Sequence, residues 1–504
     1  MVDATLGIDV GTTAVKAAIV TVDGRLVGHA DQTYPVHHPG PGLAEQDPAD
    51  WWKGVVSSVA RARSMAGPDV RIRAVGAAGQ GCGMVAIDEQ MRPLRSALIW
   101  MDTRAAAEAE QMSDAVGEDV RAANGAGIAP FNVEPKMMWM RTHEPELFAR
   151  ARWFVTPTTW ITTQLCGRAV ANHSDAGILF AYDLRMNAWS SAVLEGIGIE
   201  PSHYPELAHG DEVVGTITAA AAAALELDPD VVVVAGAGDT PAAALSAGIT
   251  EPGDCYLAMG TAAVIGVCGE KAVFQPKLLT HPYVLPGLVF TSGSMTSFGA
   301  SLRWVNRTLG IGEESSATFA AMLTEAGTAA PGAGGLVFLP YLSGELHPIL
   351  DPRARGVWFG LSQATTRADL LRAVLEGGAF AIRDNLCAAK EVGLRPQEIS
   401  AAGGLSSSDV FCQIIADITG HTVNVAENGV SGAAAGAAKL AARGAGIEVA
   451  ASVADQSQVR IHHPNKAVRD LYDAMFGIYQ SVYRNVKSDF ATLHQICADQ
   501  KPTA

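Results

Sequence analysis

The chain has 504 residues, 48% of them hydrophobic and 17% charged, which fits a globular protein of at least two domains and excludes a disordered one. A net charge of −16 with no run of Lys or Arg excludes a basic nucleic-acid-binding face, although backbone N–H groups can still hold phosphate in an acidic protein. Seven cysteines, at positions 82, 166, 255, 268, 387, 412 and 497, form no C-x-x-C pair, which argues against a disulfide framework or a zinc site and for a reducing compartment.

In chain order, the first predicted strand is Leu6–Val10, apolar but for Asp9, with no basic n-region or long apolar h-region before it; a cytoplasmic location is therefore expected. The turn Gly11-Thr12-Thr13 follows, then a second strand pattern over Ala14–Val22 and the hairpin signal Asp23-Gly24. A carboxylate inside an apolar strand is costly unless paired, hydrogen-bonded or metal-bound. The turn offers N–H and hydroxyl groups and Lys16 lies one strand step on, so the segment reads either as a site for Mg²⁺ and phosphate or as a hairpin capped by its Asp. His37–Gly42 is Pro/Gly-rich and reads as surface loop, and the thirteen histidines show no metal-ligand spacing.

The apolar run Ala74–Ala78 ends in Gly79-Gln80-Gly81-Cys82-Gly83, and another strand-like run ends in Trp100-Met101-Asp102-Thr103-Arg104. Gln, Asp and Arg beside a flat Trp face suit a hydroxyl-rich ligand, though each is ordinary alone. Cys82, without a nearby base, reads as a small apolar residue and not as a nucleophile. Val231–Val234 is a buried-strand pattern leading through Ala235-Gly236-Ala237-Gly238 to Asp239, with Thr240 as expected N-cap and Pro241 as first helical residue. Asp239 thus stands between a strand end and a helix start, where it either takes a proton from a bound hydroxyl or only caps the helix. Pro241 occupies the third glycine position of G-x-G-x-x-G and no G-x-x-x-x-G-K-[ST] loop exists, which removes the Rossmann and P-loop readings. The apolar stretches Ala219–Leu225 and Val231–Gly238 are too short to cross a membrane.

A boundary is expected near Gly248–Gly253. Beyond it, Tyr256–Met259, the turn Gly260-Thr261-Ala262 and Ala263–Val267 echo the first hairpin: Gly11–Val15 and Gly260–Val264 both read Gly-Thr-x-Ala-Val, as two hairpins facing one nucleotide would. Thr366-x-x-Asp369 is a capping box, Ser408 opens a helix through Phe411 and Ile418, and further helices are expected over Gly432–Ala442 and Ala467–Val486. Gly403-Gly404 before Ser406-Ser407-Ser408 reads either as an anion cradle or as a plain turn with a Ser N-cap. Strands alternating with helices make the class α/β.

Together these segments, from about Leu6 to about Ala442, resemble the FGGY carbohydrate kinases. Gly356-Val357-Trp358-Phe359-Gly360-Leu361, then seven residues, then Asp369-Leu370-x-x-Ala373-Val374-Leu375-Glu376 is similar to the family's C-terminal signature, and Phe131–His143, with Lys136 and Trp139, to its N-terminal one. The resemblance implies two actin-like (ribonuclease H-like) ATPase domains with a cleft between them, residues 1–248 carrying the sugar site and 249–504 most of the nucleotide site. It implies ATP with Mg²⁺ at Asp9 and Asp239, and phosphates near Gly11, Thr12, Thr13, Lys16, Gly260 and Thr261. The nucleotide cleft would be lined by Gly299 and Arg303, adenosine held by Gly404 and Ser408, and the sugar faced by Gly81, Cys82, Asp102, Arg104 and the base Asp239. The implied substrate is a ketopentose, xylulose first, or a polyol such as erythritol, in a homodimeric enzyme. The rival is a non-kinase actin-like ATPase or sugar-binding regulator. Two departures stand out: Gly81-Cys82 where xylulokinases typically have Met-His, and Leu405 where a third Gly is common.

Overall fold

The computed structural model describes residues 1–125, 127–426, 432–448 and 459–499. Two seven-stranded sheets organise it. The first holds β1 (Val2–Val10), β2 (Ala14–Thr21), β3 (Leu26–Thr33), β4 (Val70–Gly79), β5 (Val213–Thr216) and β6 (Val232–Val234), in the order β5-β6-β4-β1-β2-β3; β7 (Ala237–Gly238) also pairs with β4. The second holds β8 (Cys255–Met259), β9 (Ala263–Gly269), β10 (Leu279–Pro282), β11 (Val289–Met295), β12 (Ile399–Ala402), β13 (Val423–Ala426) and β14 (Val459–His462), in the order β10-β11-β9-β8-β12-β13-β14.

The two sheets repeat one design. In the first, β3, β2 and β1 are successively antiparallel, β4 and β6 add in parallel, and β5 closes antiparallel. In the second, β11, β9, β8, β12, β13 and β14 take the same six places with the same directions. The two Gly-Thr-x-Ala-Val turns therefore join equivalent strands, which gives the short sequence echo its structural meaning.

Helices fill the spaces around the sheets: α1 (Val133–His143), α2 (Asp239–Ser246), α3 (Gly299–Leu309), α4 (Arg367–Glu391), α5 (Asp409–Thr419), α6 (Ala433–Gly444) and α7 (Arg469–Asp499) are the ones that matter here. No described helix is long and apolar enough to cross a membrane. α4 carries the expected capping box, Thr366 and Asp369 serving each other's backbone. Within it, buried Glu376 accepts from Arg372 at 2.7 Å, Tyr472 at 2.8 Å and Gly332 N at 3.0 Å, so the acidic end of the C-terminal signature ties α4 to α7. α7 starts after a 3₁₀ turn, Lys466–Val468, and runs to Asp499, well past the expected end at Val486, because Tyr479, Val482, Tyr483 and Phe490 keep an apolar stripe on the core.

α6 lies in sequence between β13 and β14 of the second sheet but packs on the first, through glycines. A Cβ on Gly7 of β1 would lie 1.7 Å from Ala434 O, and one on Gly76 of β4 2.5 Å from Ala437 O. Thr5 adds a hydrogen bond from its hydroxyl to Ala438 O at 2.9 Å. Where α6 crosses α2, a Cβ on Gly436 would lie 1.8 Å from Ala242 O. The core between the sheets is built from this crossing: Ala242, Leu245, Ala437 and Leu440 meet Val234 and Ala78 on one side and Tyr256 and Phe290 on the other.

Replacing Gly436 by Ala should force α2 and α6 apart and cost about 2–3 kcal/mol. Gly477→Ala in α7, where a Cβ meets nothing within 4 Å, should instead stabilise by up to about 1 kcal/mol through helix propensity. Urea or thermal unfolding of the two variants checks the contrast; a shift of the same sign in both would contradict it.

Candidate active site

The first hairpin is held from behind. Gly11 N–H donates to Ala14 O at 3.1 Å to close the turn, Tyr34 donates its hydroxyl to Gly11 O, and Gln46 Nε2 donates to Thr12 O at 2.7 Å. Gln80, just past the end of β4, donates to Gln46 Oε1 at 2.8 Å and to Gly11 O at 3.4 Å. Trp100 Nε1 donates to Thr12 Oγ1 at 2.9 Å. The turn's carbonyls are thus occupied, whereas the described hydrogen bonds give the N–H groups of Thr12 and Thr13 no protein acceptor. Such a turn is an anion cradle in waiting.

Two carboxylates flank β4. Asp9 of β1 stands opposite Ala78, and β7, on the other side of β4, places Gly238 opposite Gly79, so that Asp239 follows immediately. Two strand spacings separate the two backbones, about 9.5 Å. Asp9 is 5% exposed. Its Oδ2 lies 3.6 Å from Lys16 Nζ, and its Oδ1 is buried with no described partner. Burial pushes its carboxyl up to about 6; Lys16 opposes the shift and Asp239 adds to it. Asp239 is partly exposed, and burial raises its carboxyl above the usual range against the hydrogen bond from Thr240 N at 2.6 Å. The helix begins at Asp239 itself, with Gly238 as N-cap, so the expected Thr240 N-cap and Pro241 first residue are each corrected by two places. Asp239 gains from this shift: at the first helical position its negative end meets the positive end of the helix dipole.

A third carboxylate was not singled out from sequence. Asp175 is fully buried, accepts the Thr156 hydroxyl on Oδ2, and has no described partner on Oδ1. Burial, reinforced by Asp239, pushes it up to about 7. Its neighbour Ser174 accepts from Gly238 N at 3.2 Å, which ties this pocket to the base of α2. The only hint in the sequence is an acid just ahead of an apolar run, Ala176–Ala181.

Across the cleft, the second hairpin anchors a helix. Gly260 N–H donates to Ala262 O at 3.0 Å; Gly299 N–H and Ala300 N–H donate to Gly260 O and Thr261 O at 3.2 and 3.0 Å. Only glycine fits at this join: a Cβ on Gly299 would lie 2.5 Å from Gly260 O, and Gly403, at φ +106°, would place one 2.5 Å from Met259 O. Beside it opens a cavity of about 660 Å³, lined by Gly260, Thr261, Gly299, Arg303, Gly404 and Ser407 with an apolar wall that includes Leu302 and Phe319. Its size suits a nucleotide-sized ligand. Ser407 lines this cavity; Ser408, the next residue, is not among its lining and is the N-cap of α5, accepting from Phe411 N at 3.3 Å with its own O–H still free to donate.

The residues expected around the sugar divide. Gly81 packs on Ile178, whose Cδ1 would lie 2.4 Å from a Cβ there. Cys82 holds a left-handed φ of +57°, and burial pushes its thiol up to about 12, which keeps it protonated and excludes a nucleophile. Asp102 is 0% exposed and engaged inward: its carboxylate accepts from Ala44 N at 2.7 Å and from Arg104 at 2.8 Å. Burial lifts its carboxyl, but these bonds win and hold it below the usual range. Arg104 also reaches Glu45 at 2.6 Å and lies over the Trp139 ring at 4.9 Å. Both are framework for the Trp100–Met101 turn; Asp102 has no exposed atom to offer a ligand, whereas the described hydrogen bonds of Arg104 engage its Nε and Nη2 and leave Nη1 without a protein acceptor.

No cluster of three or more metal-binding side chains occurs among the described residues. Mg²⁺, however, is commonly held by one or two carboxylates with the substrate's phosphates completing its shell. The unpartnered Oδ1 of Asp9, in a carboxyl whose burial disfavours its charge, fits that role.

Comparison with known proteins gives this arrangement its class. Residues 4–246 match the N-terminal domain, and residues 255–445 the C-terminal domain, of the FGGY family of carbohydrate kinases. The chain is 31% identical over 441 residues to a xylulose kinase of Escherichia coli (strain K12), covering 86% of this chain and 89% of that one. It is 29% identical over 488 residues to a xylulose kinase of Bacillus subtilis (strain 168), covering 96% and 97%. The solved xylulose kinase from Rhodospirillum rubrum superposes with a TM-score of 0.90 at 31% identity, over 97% of this chain and all (100%) of that one. The chain belongs to the FGGY family and has its two-domain actin-like fold. It is an ATP-dependent carbohydrate kinase.

Asp102→Ala should leave Arg104 and the Ala44 N–H without their buried partner and cost about 3–5 kcal/mol. Denaturant unfolding checks this. A variant of unchanged stability whose sugar KM alone rises would instead make Asp102 a ligand of the substrate.

Proposed function

We propose that the chain phosphorylates D-xylulose to xylulose 5-phosphate. The observation that carries the catalytic part is Asp239: a partly exposed carboxylate of raised basicity at the start of α2, beside Asp9 and the first hairpin. The names of the relatives support the sugar. In this reading ATP occupies the cavity by Gly260, Thr261, Gly299, Arg303 and Gly404, and its terminal phosphates reach the N–H groups of Thr12 and Thr13 and the Lys16 ammonium. Asp9, with Asp239 nearby, would hold Mg²⁺, which when bound neutralises charge on the β- and γ-phosphates. Asp239 takes the proton of the attacking hydroxyl; the new O–P bond forms at the γ-phosphorus as its bond to the β-phosphate oxygen breaks, and ADP leaves. Closure of the two domains about the α2–α6 crossing would keep water from competing with the sugar. Residues 1–248 act as the sugar half and 249–504 as the nucleotide half, except that α6 belongs spatially to the first. The free cysteines among the described residues support a reducing, cytoplasmic setting.

A second acceptor, another ketose or a polyol, is favoured by one observation. Cys82 offers a protonated thiol, a poor hydrogen-bonding group, where xylulokinases typically carry histidine. ADP release measured with Mg²⁺-ATP and D-xylulose, L-xylulose, D- and L-ribulose, erythritol, glycerol and gluconate separates these readings. Strongest stimulation by D-xylulose is expected; strongest stimulation by another compound moves the assignment to that compound, and sugar-independent release supports a plain ATPase.

Asp239→Ala should lower turnover by about 10²–10⁴-fold while ATP binding, followed by titration calorimetry, persists. A fully active variant would remove Asp239 from the mechanism.

A further inference from the structure

Lys136 is a buried cation with no carboxylate in contact. It is 0% exposed, in the first turn and a half of α1. Its Nζ donates to Phe131 O at 2.5 Å, Ile99 O at 2.8 Å, Cys82 O at 2.9 Å and Leu98 O at 3.3 Å. Four carbonyls meet three N–H groups, so one proton is shared.

These carbonyls belong to three separate segments of chain. One is the Gly81-Cys82 turn after β4. Another, Leu98-Ile99, leads directly into Trp100 and Met101, which are 46% and 40% exposed. The last ends at Phe131, 42% exposed. Two of the three segments held by Lys136 therefore carry large exposed apolar side chains, which suit the C–H face of a sugar. All three adjoin the reacting groups: Trp100 donates to Thr12 of the first hairpin, Phe131 and Cys82 share the Lys136 ammonium, and Cys82 lies close enough to Asp175 and Asp239 to feel their charge. Asn132 extends the framework by donating from Nδ2 to Ile178 O at 2.9 Å, which holds Ile178 against Gly81.

We propose that Lys136 is the positioning residue of the sugar site: its ammonium, bonded to the backbones of Cys82, Leu98-Ile99 and Phe131, fixes the three segments whose side chains receive the acceptor. The inference rests on the reading that these segments are the sugar site. It touches neither ATP nor the reacting atoms, so its effect belongs in sugar affinity.

The charge on Lys136 is held at some cost. Burial pulls its ammonium down to about 8, and the ionisable groups facing it, Cys82, Asp102, Arg104 and Glu134, do not restore it. Asp102 is committed to Arg104, and burial holds Glu134 toward its neutral form while it accepts from Ala181 N and the Tyr204 hydroxyl. Below about pH 8 the ammonium offers three N–H donors. Above it the neutral amine offers two, and its lone pair faces carbonyl oxygens. The sugar site should therefore loosen as pH rises through this range.

The test is steady-state kinetics of the full chain with D-xylulose and Mg²⁺-ATP across about pH 6.5–9.5, comparing wild type, Lys136→Met and Lys136→Arg. Wild type should show a sugar KM that climbs above about pH 8 with the ATP KM flat. Lys136→Met should raise the sugar KM at least about tenfold with the ATP KM within about twofold, the loss expected of charge-assisted bonds. In Lys136→Arg, charged over the whole range, the pH-dependent rise should vanish whatever the starting KM. If Lys136→Met does not fold, the wild-type profile and Lys136→Arg decide alone. A flat wild-type profile, a rise that persists in Lys136→Arg, or equal changes in both KM values would overturn the proposal. Wild type inactive with D-xylulose but active with another acceptor would overturn the substrate reading and not this one, which is then decided with that acceptor.

Discussion

The site depends on two carboxylates held at strand ends on either side of β4. Asp9 and Asp239 are both pushed toward their neutral forms by burial, and each is left with less compensation than a structural acid receives. A fold selected only for stability would fill those positions with apolar side chains. Their presence beside a turn whose N–H groups have no described protein acceptor is what supports the proposed roles: cationic charge for Asp9, a proton for Asp239, and anionic oxygens for the hairpin.

The rest of the architecture brings a second, equivalent hairpin to face the first. The sheets repeat the same order and directions, and between them α6 meets α2 backbone to backbone through Gly436 and meets β1 and β4 through Gly7 and Gly76. Such contacts leave no side chain to give way, so the crossing behaves as a rigid pivot and opening or closing must occur in the cleft beyond it. Because α2 also begins at Asp239, the pivot and the proposed base are one element, and in that reading closure would bear directly on catalysis.

Much of this was legible in the sequence for local reasons. Strand alternation around Gly-Thr turns marked both hairpins, and Asp9 betrayed itself as a charge in an apolar run. The capping box at Thr366 and the Ser408 N-cap follow from side chains bonding their own helix. The same locality misled at Pro241, which sits at the third helical position although the first is commoner. What stayed hidden depends on distant chain. Asp102 and Arg104 look like ligands until their inward bonds to Ala44 and Glu45 are seen. Asp175 gave no periodic signal, Lys136 is read only through carbonyls from three other segments, and nothing in the alanines and glycines of α6 says which sheet they cover.

The central claim, transfer of the γ-phosphate to a sugar hydroxyl and not to water, is tested most directly by ³¹P NMR of the protein incubated with Mg²⁺-ATP, with and without D-xylulose. The account predicts that the γ-phosphate signal falls only when the sugar is present and is replaced by a phosphomonoester coupled to the carbon-5 protons of the sugar. Inorganic phosphate appearing at the same rate with and without sugar would contradict it and leave the two hairpins as those of a simple ATPase.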